Sequence, residues 1–264
     1  MIRSLPPALV PFDAAIARTV LPLIGGTVLD TAPATPSSSQ LGGLPWWPAA
    51  MPYPVGRNDK PLYLLAQINF ADCAPLEPFP AQGLLQFFIG STDDYLYGCN
   101  LDDLRAPNGF AGVYHTNLDQ PRLADFGFLT PLDPQIDVLL PLEEPLRARA
   151  VSLSLGSMPV DVFDHRFRGL LPAISGNDDL LDLYQDWFDA PPVRLGGYPT
   201  FTQNDPRDPL ERHGGPTLGE FPLLTIESTD GIMWGDMGVG QFFMHEADLR
   251  RLDFTKVAYN WDCC

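Results

Sequence analysis

The residues able to do acid–base, nucleophilic or metal chemistry in this chain are scattered. Its four histidines are His115, His165, His213 and His245, and its four cysteines are Cys73, Cys99, Cys263 and Cys264. A tetrahedral metal site needs ligands in closely spaced pairs, and no set here has that spacing. His245-Glu246 opens an HExxH pattern, but Leu249 stands where the second histidine would be. No GxSxG elbow or phosphate-binding GxxxxGKS/T loop occurs. GDMGVGQ at 235–241 has its glycines in the wrong order for a dinucleotide loop and reads as a tight hairpin. Asp93-Asp94, Asp102-Asp103 and Asp178-Asp179 resemble acid/base pairs, yet neighbours on a strand point to opposite faces. The expectation is a chain with no catalytic residues, no metal and no cofactor.

Two groups of residues have the composition of a ligand wall. Trp234, Gly235 and Asp236, with the loop Gln203, Asn204 and Asp205, combine an aromatic ring, small residues and polar groups. The same composition suits turns tied down by side-chain hydrogen bonds. Trp46 and Trp47 sit in the stretch 41–61, which holds five prolines and three glycines and must be irregular. A long loop pinned by aromatics is a lid or a pocket wall.

Charge narrows the partners. The chain has 16 Lys+Arg against 33 Asp+Glu, a formal charge of −17. Such a field repels phosphate backbones and steers basic proteins inward, which predicts no nucleic-acid binding and a cationic protein partner. The stretch 92–119 is densely acidic, so Asp93, Asp94, Asp102, Asp103 and Asp119 are the candidate partner-binding residues. The start of the chain has no secretory signal pattern, no run approaches the length of a membrane span, and the cysteines read as reduced thiols; a cytoplasmic protein is expected.

The elements that must position these residues are short. There are 29 prolines in 264 residues, which argues for many strands and turns rather than a helical bundle. Phe12, Ile16 and Val20 predict a helix over 12–21 ended by Pro22, and 32–40 reads as a linker. Apolar runs predict strands at 62–70, 83–91, 221–228, 231–236, 240–244 and 257–262, and alternation predicts another at 151–155. Helices are predicted over 178–189, behind an Asn177 or Asp178 cap, and over 246–252. Gln67 and Gln86 interrupt two buried strands, and each amide must find partners in a neighbouring loop or a ligand.

Motifs also recur in order. LGGLP at 41 returns as LGGYP at 195, an offset of 154; Leu64-Leu65 returns as Leu223-Leu224, an offset of 159; GLLQFF at 83 returns as GVGQFF at 238, an offset of 155. This predicts an internal duplication, with halves at about 36–150 and 151–264 of one domain, the two LGG loops meeting, and a shared cleft. The expected class is α+β, sheet-rich, with antiparallel or mixed strands and a few short helices.

LGGLPWWP, LYLLAQINF, GLLQFFI, DDYLYG, LGGYPTFTQNDPR, GIMWGDMGVGQFFMHEADLRRLDF and the terminal YNWDCC together resemble the YwqG-like family of bacterial proteins, a domain of unknown function also called DUF1963. The resemblance spans nearly the whole chain and implies an α/β or α+β fold with extensive sheet, but no activity and no catalytic residues. Its association with toxin loci implies an immunity protein, which agrees with the charge. The functional expectation is a non-enzymatic binding protein that neutralises a basic toxin or effector. The alternative is a small-molecule-binding protein or hydrolase using a cleft between the halves.

Overall fold

The computed structural model describes residues 4–91, 96–129, 140–208, 219 and 221–263. Among these residues, ten strands form one sheet: β1 (Leu21–Val28), β2 (Gln40–Leu41), β3 (Tyr63–Asn69), β4 (Leu84–Ile89), β5 (Phe110–His115), β6 (Arg149–Met158), β7 (Val193–Gly196), β8 (Phe221–Glu227), β9 (Val239–Met244) and β10 (Ala258–Asp262). The order is β10-β9-β8-β7-β1-β6-β2-β3-β4-β5, and every pairing is antiparallel. Among the described residues, five short α-helices accompany it: α1 (Asp13–Ala17), α2 (Phe167–Leu170), α3 (Pro172–Ser175), α4 (Asp178–Trp187) and α5 (Glu246–Arg250). This is the sheet-rich, antiparallel α+β class expected. No helix among the described residues is long and apolar enough to cross a membrane.

The β1–β6 pair is the middle of the sheet, and the order on either side of it is alike. β6 leads outward through β2, β3, β4 and β5, while β1 leads outward through β7, β8, β9 and β10. A one-residue irregularity falls between Leu64 and Ala66 on β3 and between Pro222 and Leu224 on β8. A division at 150/151 falls inside β6, and β1 lies outside both expected halves although it is central to the sheet.

The sheet curls until its ends face each other, because the inward faces of β4, β5, β9 and β10 are aromatic. Phe87 meets Phe242 at 4.8 Å between ring centres, and Phe110 meets Tyr259 at 5.4 Å. The ends are also tied by Tyr259 N donating to the Leu104 carbonyl at 2.8 Å and Trp261 Nε1 donating to the Leu96 carbonyl at 2.9 Å. Each such ring buries a large apolar area, roughly 150–250 Å². A second core lies on the other side of β1, where α2, α3 and α4 cover Leu23, Met158 and Val160. The Asn177 side chain caps α4 by accepting from Leu180 N at 3.1 Å, and Tyr184 fixes the helix by donating to the Val160 carbonyl at 2.7 Å.

Three sequence expectations change. The helix at 12–21 stops at Ala17, and Pro22 lies within β1. Proline is tolerated there because β7 pairs with β1 only from Leu23 onward, so no ladder partner is lost on that side. The run at 231–236 is a turn, not a strand: Gly231 and Gly235 have φ of 74° and 52°, and the Trp234 ring drops into the core over Gly240. The LGG loops do not meet. A Cβ on Gly43 would lie 2.5 Å from that of Ala148, just before β6, whereas one on Gly197 would lie 2.8 Å from the sulfur of Met158, the last residue of β6. Ten residues of strand, about 30 Å, separate those contacts.

Candidate functional site

The LGG loops cover the outward faces of the two halves, and each is pinned by a row of polar residues. In the first half, register aligns Gln40, Gln67 and Gln86 on neighbouring strands. Gln40 Nε2 donates to the Gly42 and Leu44 carbonyls at 2.9 and 3.1 Å. Gln67 Oε1 accepts from Trp46 N at 2.9 Å, and Gln86 Nε2 donates to the Trp46 carbonyl at 2.6 Å and to Gln67 Oε1 at 2.7 Å. Gln86 spends its amide nitrogen on those acceptors, so its oxygen faces His115 Nε2, 2.9 Å away, which must carry the proton. Burial pushes His115 down to about 4, so the ring is neutral at pH 7. Trp46 and Trp47 meet it edge-on at 5.2 and 5.3 Å, and Trp47 packs on Phe88 at 5.6 Å. Both tryptophans are buried beneath the surface as part of this cover.

The second half repeats the plan with different chemistry. Arg194, Thr225 and Gln241 are aligned by register. Arg194 donates to the Tyr198 carbonyl at 3.1 Å, to Thr200 Oγ1 at 2.7 Å and to Glu227. Gln241 Nε2 donates to the Thr200 carbonyl, as Gln86 does to Trp46, and Phe201 stacks on Phe243 at 6.2 Å. A buried ionic net then closes the loop. Arg207 donates to Asp205 at 2.6 Å and to Asp164 at 2.7 Å, with all three side chains excluded from water, and Arg166 adds a 2.7 Å contact to Asp164. Burial would raise the Asp164 carboxyl, but the Arg166 hydrogen bond and the two guanidinium charges take it down to about 2. Burial pushes Asp161 up to about 6 despite the hydrogen bond from Thr200. Asp164, His165 and Asp205 lie close enough to hold a metal ion. The arginines already occupy those carboxylates, which makes the cluster an ion-pair net.

The proposed wall residues fall in separate places. Asp205 is buried in the ionic net, whereas Gln203 and Asn204 are exposed beside it. Trp234 belongs to the main core, 5.9 Å from Tyr97, while Trp47 belongs to the cluster around Phe88; Asp236 is exposed. Asp102 and Asp103 are exposed ahead of β5 and Asp119 is exposed beyond its other end. Asp93 and Asp94 lie outside the described residues.

Residues 39–263, from just before the first LGG loop through β10, match the model of the family described as a domain of unknown function, DUF1963. The chain belongs to the DUF1963 family. No curated protein matches it. The family match begins after β1, so the strand on which the second half of this DUF1963 chain is built precedes the matched segment.

Two cavities flank β1. The larger, about 810 Å³, lies along the β1–β6 pair, where Gly25 faces Ser154 and Leu23 faces Gly156; Arg149 and Asp189 stand on its walls. The smaller, about 330 Å³, lies between Leu76 and Phe79 of the first half and Phe221 and Pro222 of the second, with Arg166 and His245 beside them. Both volumes suit ligand sites. Neither cavity includes Trp46, Trp47, Trp234, Asp236 or the Gln203, Asn204 and Asp205 loop, although Gly196 and Gly197 of the second LGG loop line the smaller one. The small residues of β1 that open the larger one carry no motif, so only the strand order brings them into view.

Proposed function

We propose that this DUF1963 chain is a binding protein for a basic protein partner, acting in the cytoplasm as an immunity protein against a cationic toxin or effector, and that it does not bind nucleic acid. The observation that carries this reading is the outward face of α4. Asp178, Asp179, Asp182 and Asp186 are exposed on it, without a basic residue in the helix, and the chain runs on to Asp189 at the wall of the 810 Å³ cleft. An acidic stripe leading into a concave site favours a basic, extended segment of a partner by steering and charge complementarity. The test is copurification with the product of a neighbouring gene at about 0.15 M and about 1 M salt, where screening shortens to about 3 Å. Capture at the lower salt and loss at the higher, with at least tenfold weaker capture by a chain carrying Asp178→Asn, Asp182→Asn and Asp186→Asn, supports it. No capture at either salt removes it.

A second reading, binding of a small apolar molecule, rests on the 330 Å³ cavity between the halves, whose walls include Phe79 and Phe221 with centres 5.2 Å apart. Small uncharged aromatic molecules should raise the melting temperature of the wild-type chain and not of Phe79→Ala. Equal shifts in both chains would count against this reading.

A further inference from the structure

Strand β6 is covered unequally on its two sides. It pairs with β1 from Val151 to Met158, but with β2 only at Arg149 and Ala150. Successive residues of an antiparallel strand turn their backbone groups to opposite sides. Leu29 N donates to the Ala150 carbonyl at 2.9 Å on the β1 side, and Val151 N donates to the Ser39 carbonyl at 2.9 Å on the β2 side. The N–H and C=O groups of Leu153, Leu155 and Ser157 therefore point away from β1, and none of them has a hydrogen-bond partner among the described residues. The chain that could have covered them is held elsewhere. Ser39 N donates to Asp72 Oδ2 at 2.9 Å, Gln67 Nε2 to the Pro36 and Ser38 carbonyls at 3.0 and 2.9 Å, and Asn69 Nδ2 to the Ser37 carbonyl at 2.9 Å, so residues 36–39 follow β3 instead of β6. The open edge reads Val-Ser-Leu-Ser-Leu-Gly-Ser, is exposed from Ser154 to Ser157, and has no lysine, proline or bulge to blunt it.

We propose that this edge takes an extended, basic segment of a partner protein as a further strand of the sheet, hydrogen-bonded to Leu153, Leu155 and Ser157. The proposal rests on the basic-partner reading above and names where that partner docks. An open edge supplies affinity through backbone hydrogen bonds, leaving side chains to select the occupant. Ser154, Leu155, Gly156 and Ser157 also line the 810 Å³ cleft, so a strand laid beside them extends the cleft's floor and turns every second side chain toward it. Charge selects what lies there. Exposed Asp30, Asp189 and Asp230 rim the cleft, and exposed Asp72 stands where the edge opens. The cleft's two arginines are drawn to acceptors nearby, Arg147 to Asp30 and Glu144 and Arg149 to the Asp230 carbonyl. Lysine or arginine at alternate positions of the added strand complements those carboxylates, whereas a second copy of this chain brings another −17 and is repelled.

The test is backbone amide exchange of the full chain with a synthetic peptide that alternates lysine and valine. With peptide at about ten times its dissociation constant in about 0.15 M salt, the amides of Leu153, Leu155 and Ser157 should exchange about tenfold more slowly. Those of Ser152, Ser154 and Gly156, which already face β1, should not change. Leu155→Pro deletes an outward N–H and no bond to β1, so it should fold and bind the peptide about tenfold more weakly. The exchange pattern is read on the wild type, so it decides even if Leu155→Pro fails to fold. Binding that leaves the three amides unchanged would be adhesion to the acidic face of α4 and would overturn the edge, as would a peptide that does not bind. A wild-type dimer that Leu155→Pro abolishes would give the edge to a second copy and overturn the basic occupant. Capture of the neighbouring gene's product by wild type and Leu155→Pro alike would keep the basic-partner reading and remove only its docking at β6.

Discussion

The loops 41–47 and 195–201 leave equivalent strands, turn on paired left-handed glycines, and are held by equivalent glutamines, yet they close their halves by different physics. The first seals its sheet face with Trp46, Trp47 and neutral His115. The second seals its face with Phe201 under Arg207, which joins Asp164 to Asp205. A buried tryptophan contributes through apolar area, roughly 150–250 Å² at about 25 cal/mol per Å². A buried ion pair roughly offsets its own desolvation, so the second cover fixes the path of the loop more than it adds stability. The difference teaches that the same strand plan accepts either an aromatic or an ionic cover.

The largest effect should come from unbalancing the ionic cover. Arg207→Met leaves Asp164 and Asp205 without their buried cation, and urea unfolding should show a loss of about 3–5 kcal/mol. Adding Asp164→Leu and Asp205→Leu should recover most of that loss, because an apolar net of similar volume no longer holds unpaired charge. Trp47→Ala should cost a similar amount, about 3–5 kcal/mol, but through a cavity against Phe88 that no charge change repairs. If the triple variant stays as unstable as Arg207→Met, the ionic cover stabilises in its own right and the contrast with the aromatic cover fails.

What could be read before the structure follows the same division. Strands β3, β4, β8 and β9 are largely apolar runs between breakers, and Gln67 and Gln86 stand out in them because a buried amide must be satisfied. Helix α4 was equally legible from its apolar spacing and its Asn177 cap. Strand β1 was not, since Pro22 and Gly25-Gly26 erase the strand signal, although a side chain at Gly25 would collide with Pro191 at 2.8 Å. The run at 231–236 misled because Trp234 is apolar for the core, not for a strand face. The junction of the ionic net could not be read either: its local pairs Asp164-Arg166 and Asp205-Arg207 are joined by Arg207 to Asp164 across 43 residues, and only the loop's path brings them together.

Acid should set the halves against each other. The His115 pKa is depressed from 6.5 to about 4, so its contribution is complete above pH 6.5 and is lost as pH falls toward 4. The Asp161 pKa is raised from 3.8 to about 6, so its contribution is complete below pH 3.8 and is lost as pH rises through 6. Each amounts to about 3 kcal/mol at most, and between pH 4 and 6 they oppose. Wild-type stability should therefore vary little from these two groups across that window. His115→Gln should make the chain gain stability on acidification, and Asp161→Asn should make it lose stability. Urea midpoints at pH 4, 5, 6 and 7 decide it, and parallel profiles for the two variants would mean that neither group carries the pH response.

The smallest effect separates the two glutamines themselves. Gln86→Met orphans Trp46 O and the His115 N–H and takes one of two donors from Gln67 Oε1, and should cost about 2–3 kcal/mol. Gln241→Met frees only the Thr200 carbonyl, because the Gln241 oxygen has no partner to lose, and should cost about 1 kcal/mol. A Gln241→Met chain that is as destabilised as Gln86→Met would mean that its oxygen is already satisfied, and the asymmetry between the halves would vanish with it.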